Sequence, residues 1–255
     1  MKPFWIRALL VLASAAVPST QPSITLIHHG KTITAVKTGP DSVGFSVICG
    51  GNSPKSPVTA VYFDTSKNEV QVTVAGDLVQ APLMVMHKQP GGDGTLTMSD
   101  GTARLSNRRC MPHLHTTSKA GAVTARQGST HFSGSRLYYT QKTGDATLSG
   151  PITFSRKVTG QAPLEGSSQS LVIVVSKGLT TLEGKVRLVS GKRVSTAPKV
   201  IYSDPKGEAL LIGTAQDPAS SKQGKDLLTA ATIRFNLRNG DVVAVGRVSG
   251  TLSGQ

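Results

Sequence analysis

Over much of this chain apolar and polar residues alternate one by one, and glycine-containing turns interrupt the alternation at regular intervals. A period of two predicts strands with one face on a core and the other in water. The stretch from Leu182 to Ala215 shows it most densely. Val200 and Tyr202 precede the turn Ser203-Asp204-Pro205-Lys206-Gly207, and Ala209, Leu211, Gly213 and Ala215 follow it. Lys199, Ser203 and Glu208 take the other parity, with Leu210 and Ile212 as apolar exceptions. Proline fixes φ in the turn, and glycine accepts a backbone conformation that other residues resist.

The unit recurs. An aromatic or apolar residue stands five positions before a turn residue, and a glycine usually stands six after it. The copies are Tyr202–Gly207–Gly213, Tyr139–Gly144–Gly150, Phe235–Gly240–Gly246 and Ile173–Gly178–Gly184. Phe63–Asn68 is a fifth, closed two residues late by Gly76. Shared spacing and parity predict an all-β fold of stacked hairpins.

Parity assigns the faces. In the first clear copy Val61 and Phe63, then Val70, Val72, Val74, Gly76 and Leu78, are expected on the core side. From about residue 135 the inward set is Leu137, Tyr139, Ala146, Leu148, Ile152 and Phe154. Leu182, Val186, Leu188, Val200, Tyr202 and Leu211 continue it. Ile233 and Phe235 follow, with Val242, Ala244, Gly246 and Val248. Residues 160–170 and 216–228 read as polar loops. Residues 85–134 are irregular: Leu96 and Met98 differ in parity from Ala103 and Leu105, which predicts a bulge near Gly101. A first hairpin is expected to turn at His29-Gly30.

Residues 1–20 carry the features of an export signal: Lys2 and Arg7, a short apolar run, and Ala13-Ser14-Ala15 as a cleavage site. The rest, residues 21–255, reads as one large β domain or two smaller lobes, regular at 59–80 and 135–250. The formal charge is +14, and removing Lys2 and Arg7 leaves +12. So basic a chain suits an anionic partner. Export makes nucleic acid the poorest of these, and periplasm or cell envelope the expected location.

Little catalytic chemistry is visible. The histidines (His28, His29, His87, His113, His115 and His131) stand away from any nucleophile-elbow motif, and most acids occupy turns. No catalytic residue, cofactor or metal is assigned. Adjacent His28 and His29 point to opposite strand faces. Cys110, Met111, His113 and His115 have metal-like spacing but no supporting ligand set, and read as a polar strand or loop. Cys49 and Cys110 are the only cysteines, and in an oxidising compartment they are expected to form a disulfide.

Leu182-x-Gly184-x-Val186-x-Leu188, followed by Ala197, Val200, Tyr202, Asp204, Gly207, Ala209, Leu211 and Gly213, resembles the LptA/OstA family. The resemblance is close over residues 135–250 and fair at 59–80. Pro198 stands where that family usually has an acid, and Lys185 and Pro151 where it usually has asparagine. The resemblance implies a twisted antiparallel β-jellyroll with an open V-shaped apolar slot. It implies acyl chains of lipopolysaccharide or another envelope glycolipid held by the inward residues named above. It also implies partners in envelope transport joined by strand addition, with an end-to-end homo-oligomer as one form.

The expected function is therefore that of a periplasmic lipid carrier or bridge, not an enzyme. The alternative is a structural or adhesive surface β-solenoid that holds an anionic polymer.

Overall fold

The computed structural model describes residues 23–28, 31–50, 56–66, 70–74, 76–90, 94–106, 109–174, 179–203 and 206–251. The export-signal region and the predicted turn at His29-Gly30 lie outside them. Every regular element is a strand. The first group is β1 (Ile24–His28), β2 (Lys31–Lys37), β3 (Gly44–Gly50), β4 (Val58–Asp64), β5 (Val70–Val74) and β6 (Asp77–Ala81). Then come β7 (Leu83–Lys88), β8 (Thr95–Ser106), β9 (Arg109–Thr117), β10 (Val123–Gln127), β11 (Thr130–Gly134) and β12 (Arg136–Thr140). Four long strands follow: β13 (Asp145–Arg156), β14 (Leu164–Val174), β15 (Leu179–Ser190) and β16 (Arg193–Ser203). The last six are β17 (Glu208–Ile212), β18 (Ala219–Gln223), β19 (Asp226–Ala230), β20 (Thr232–Asn236), β21 (Val242–Val245) and β22 (Ser249–Thr251).

All pairings are antiparallel, and they form two layers that share the four long strands. One layer runs β1-β2-β5-β6-β10-β11 and then through the later half of β13. The other runs β3-β4-β7-β8-β12 and then through the earlier half of β13. Beyond β13–β16 the layers separate again, as β18-β19-β22 and β17-β20-β21. This is the expected all-β, hairpin-built antiparallel jellyroll.

The repeat acquires a physical meaning here. Gly144 and Gly207 lie in hairpin turns, and Gly150 and Gly184 mark corners where a long strand passes between layers. The register of β13–β14 shifts between Ser149 and Ile152, and that of β15–β16 between Glu183 and Val186. Gly150 (φ +97°) and Gly184 (φ +78°) sit at these shifts. A strand that switches sheets needs such a bend, and positive φ supplies it at low cost only in glycine.

Several local expectations change. Gly76 closes a tight hairpin between β5 and β6, so parity restarts there: Val79 and Ala81 point inward, and Leu78 faces out. Residues 164–170 belong to β14, and residues 219–228 form most of the β18–β19 hairpin, so neither stretch is simply a loop. Val248 is exposed rather than inward. The predicted bulge at Gly101 is not needed. Leu96 and Met98 face the main core, whereas Ala103 belongs to a second cluster with Val61, Phe63 and Leu83 on the opposite face. Hairpin β8–β9 extends past the end of β7, and Ala103 carries it onto that face. Phe45 and Phe63 meet there at 5.8 Å between centroids. Both faces of β4 are consequently buried.

Candidate functional site

The interior between the layers is apolar on both walls. Across the second layer, Tyr62, Met84, Met98, Leu137, Leu148, Leu171, Leu182, Val200, Leu211 and Ile233 lie side by side on successive strands. The facing row on the first layer includes Ala35, Val72, Val79, Ala125, Phe132, Phe154, Gly166 and Leu188. Phe132 and Phe154 pack at 6.0 Å between centroids. The Phe154 ring covers Gly166, where a Cβ would stand 2.3 Å from Cζ.

Fourteen of the fifteen residues expected to line an interior do so: Val72, Leu137, Tyr139, Leu148, Ile152, Phe154, Leu182, Val186, Leu188, Val200, Tyr202, Leu211, Ile233 and Phe235 belong to this cluster. Phe63 does not, because it points to the opposite side of β4. The period of two had placed it one residue out of phase with Tyr62, which faces the interior.

Among the described residues the two walls pack closely against each other. An apolar cleft near its middle has about 30 Å³ free, between Val72 and Val79 on one wall and Leu96, Leu137 and Ile173 on the other. Asp77, Arg126 and Gln127 stand at its rim. Polar side chains join the walls around it. Thr180 Oγ1 donates to Gln127 Oε1 at 3.1 Å, and Gln127 Nε2 donates to Asp77 Oδ2 at 3.2 Å. Buried Gln141 accepts from Gly94 N at 2.9 Å and donates to Ile27 O at 2.5 Å, tying β1 to the other layer. Thr130 and Tyr202 make a further bridge. None of these roles was legible in the sequence, since a Gln or Thr at a strand end ordinarily faces water.

One buried ion pair also crosses the layers. Lys37 at the end of β2 and Asp64 at the end of β4 are 3% and 0% exposed, with Nζ 3.4 Å from Oδ2. Lys37 also donates to Pro40 O at 2.9 Å, and Asp64 Oδ1 accepts from Ser66 N at 2.8 Å. Such a pair is held by the extra hydrogen bonds that offset its desolvation. Burial pushes the Tyr62 phenol up to about 12. The Tyr139 phenol is also raised, by burial first and then by the charge of Asp145.

Cys49 lies on the outer face of β3 and is disulfide-bonded. The side chain of Cys110 lies outside the described residues, as does that of Met111. His113 and His115 are exposed on β9, opposite Arg104 and Thr102. Among the described residues no three His, Cys, Asp or Glu side chains gather in a way that could hold a metal ion.

Residues 113–241, half of the chain, match the family described as LptA/(LptD N-terminal domain) LPS transport protein. No curated protein matches the chain. Among solved structures the chain is similar to one described as LptH, the LptA homologous periplasmic component of the conserved lipopolysaccharide transport device from Pseudomonas aeruginosa. That similarity has 14% identity and a TM-score of 0.26, and it covers 63% of this chain and 95% of the other.

Proposed function

This chain belongs to the LptA/(LptD N-terminal domain) family of LPS transport proteins, and on that premise we propose that it carries an acylated envelope lipid through the periplasm. The acyl chains lie between its two layers, in contact with Leu148, Ile152, Leu182, Val186 and Leu211. The observation that carries this reading is the continuous apolar cluster to which both walls contribute, with buried charge at strand ends, at Lys37, Asp64 and Arg156. Each acyl methylene moved from water into such a lining contributes about 0.8 kcal/mol.

With so little space free between the walls, loading requires the layers to part. The walls are held mainly by apolar contact, together with the few cross-layer bonds described above. Such contacts can be exchanged for contacts with an acyl chain at little net cost. At the two ends of the assembly, β1 and β3, and β21 and β22, each pair on one side only among the described residues. These edges offer unpaired backbone groups to the strands of transport partners or of further copies.

A photo-crosslinker at Leu148, Ile152, Leu182, Val186 or Leu211 is expected to capture an acylated lipid in the cell. One at Ser149, Thr153 or Lys185 is expected to capture none, because these stand on the opposite face or at the corner. Equal capture at both sets, or none at the first set in folded protein, removes the carrier reading and leaves polymer binding on the outer surface to be tried.

A further inference from the structure

The outward faces of the two layers differ in chemistry. On the first, Thr124, Ser133, Thr153 and Ser167 stand side by side, and the face is polar. On the second, one transverse row is largely aliphatic. It starts at Val47, Val61 and Val85 and passes through threonines to Tyr138, Val172, Ile201, Leu210 and Val243, with Arg234 its single charge. Ile212 and Val245 lie in the next row.

Hairpin β8–β9 packs against the first part of this row, in the cluster of Val61, Phe63, Leu83 and Ala103. From Tyr138 onward no described element lies on it. Tyr138, Val243 and Val245 are 47%, 54% and 59% exposed, and Val172, Ile201, Leu210 and Ile212 are partly exposed and belong to neither core. An exposed face this rich in aliphatic side chains marks a contact site.

We propose that this uncovered row is the contact surface of a face-to-face dimer of this chain. The row continues a surface that the chain already covers with its own β structure, so its packing partner there is a β layer. The uncovered part spans eight strands, roughly 34 Å at the usual strand spacing. With one residue row on either side it offers on the order of 700 Å² per copy, near the roughly 800 Å² of a stable interface.

The charges fit a second copy better than an anionic membrane. Arg136, Lys199 and Arg234 are matched on this face by Asp145, Glu183 and Glu208, so the face is neutral although the chain is strongly basic. Arg136, Glu183 and Lys199 flank the row on one side, which leaves that flank basic. Asp145 and Glu208 flank it on the other, each one strand farther along. A two-fold rotation about the row lays the basic flank of one copy over the acidic flank of its partner, as an isologous contact requires. Lys199 keeps its own ion pair with Glu183 at 2.9 Å. Edge-strand addition uses different residues, and lipid in the interior is not involved.

Sedimentation velocity of the purified protein over a concentration series tests this. A reversible dimer is expected, weakened at least tenfold by Ile201→Lys or Leu210→Lys with the circular dichroism spectrum unchanged. If either variant misfolds, Val243→Lys and Tyr138→Glu, at more exposed positions, give the same reading. Arg136→Asp is expected to weaken the dimer, and Asp145→Arg in the same chain to restore it. A monomer throughout the series overturns the proposal. So does an oligomer indifferent to these substitutions, which would be edge pairing. A monomer that sediments with phosphatidylglycerol vesicles, and loses that binding in Leu210→Lys, would give the face to a membrane and overturn it as well.

Discussion

Thr130 Oγ1 and Tyr202 Oη lie 3.0 Å apart in the buried interior, joining β11 of one layer to β16 of the other. The residues are 72 positions apart in the chain. Both hydroxyls are withdrawn from water, so losing one leaves the other without its observed partner. Tyr202→Phe is expected to cost about 1–2 kcal/mol in urea unfolding. A cost indistinguishable from zero would show that the bridge contributes nothing between the layers.

Neighbouring residues on β13 should respond very differently to the same charge. Leu148 is buried in the main core, and Ser149 stands on the outer face beside Arg136. Leu148→Asp places an unpaired carboxylate among aliphatic side chains and should cost more than about 4 kcal/mol, whereas Ser149→Asp should stay within about 0.5 kcal/mol. Thermal melts of the two variants would separate these outcomes, and equal melting temperatures would contradict the facing of the strand.

Lys185 has φ +48°, directly after Gly184. A left-handed conformation costs an ordinary side chain roughly 1 kcal/mol, and asparagine tolerates it better. Lys185→Asn is therefore expected to stabilise the protein by about 0.5–1 kcal/mol. The exchange Arg187→Asn, two residues on in the same strand, should bring no such gain. Chemical denaturation of both variants is the measurement.

Alkaline pH should weaken the fold through Tyr62. Its folded pKa is about 12 against an ordinary 10, so between those values the folded chain keeps a proton that the unfolded chain has lost. The stabilising contribution is fully present below pH 10 and is lost as the pH rises towards 12, in total about 3 kcal/mol. Tyr62→Phe should flatten unfolding free energy across that window. An unchanged slope would place the alkaline sensitivity elsewhere, with Tyr139 the next residue to test.

What the sequence by itself determined is the local part of the fold. Alternation is a property of neighbouring residues, so it identified most strands and their buried faces from Leu137 to Phe235, but not the start of β14 or the β18–β19 hairpin, whose polar residues read as loops. The glycine spacing identified turns, because positive φ is a demand of the backbone at one position, whereas the corners at Gly150 and Gly184 emerged only with the register shifts. The errors came where a face was buried by something distant. Phe63 and Ala103 are as apolar as their neighbours, but only hairpin β8–β9 folding back makes a second core for them. Leu210 and Ile212 broke the alternation without explanation until the register set them beside Ile201, Val243 and Val245 on one exposed face. Likewise Gln127, Gln141 and Thr130 became cross-layer ties only through partners 47 to 114 residues away. Periodicity records which way a side chain points, whereas what it meets there is decided by how the layers close.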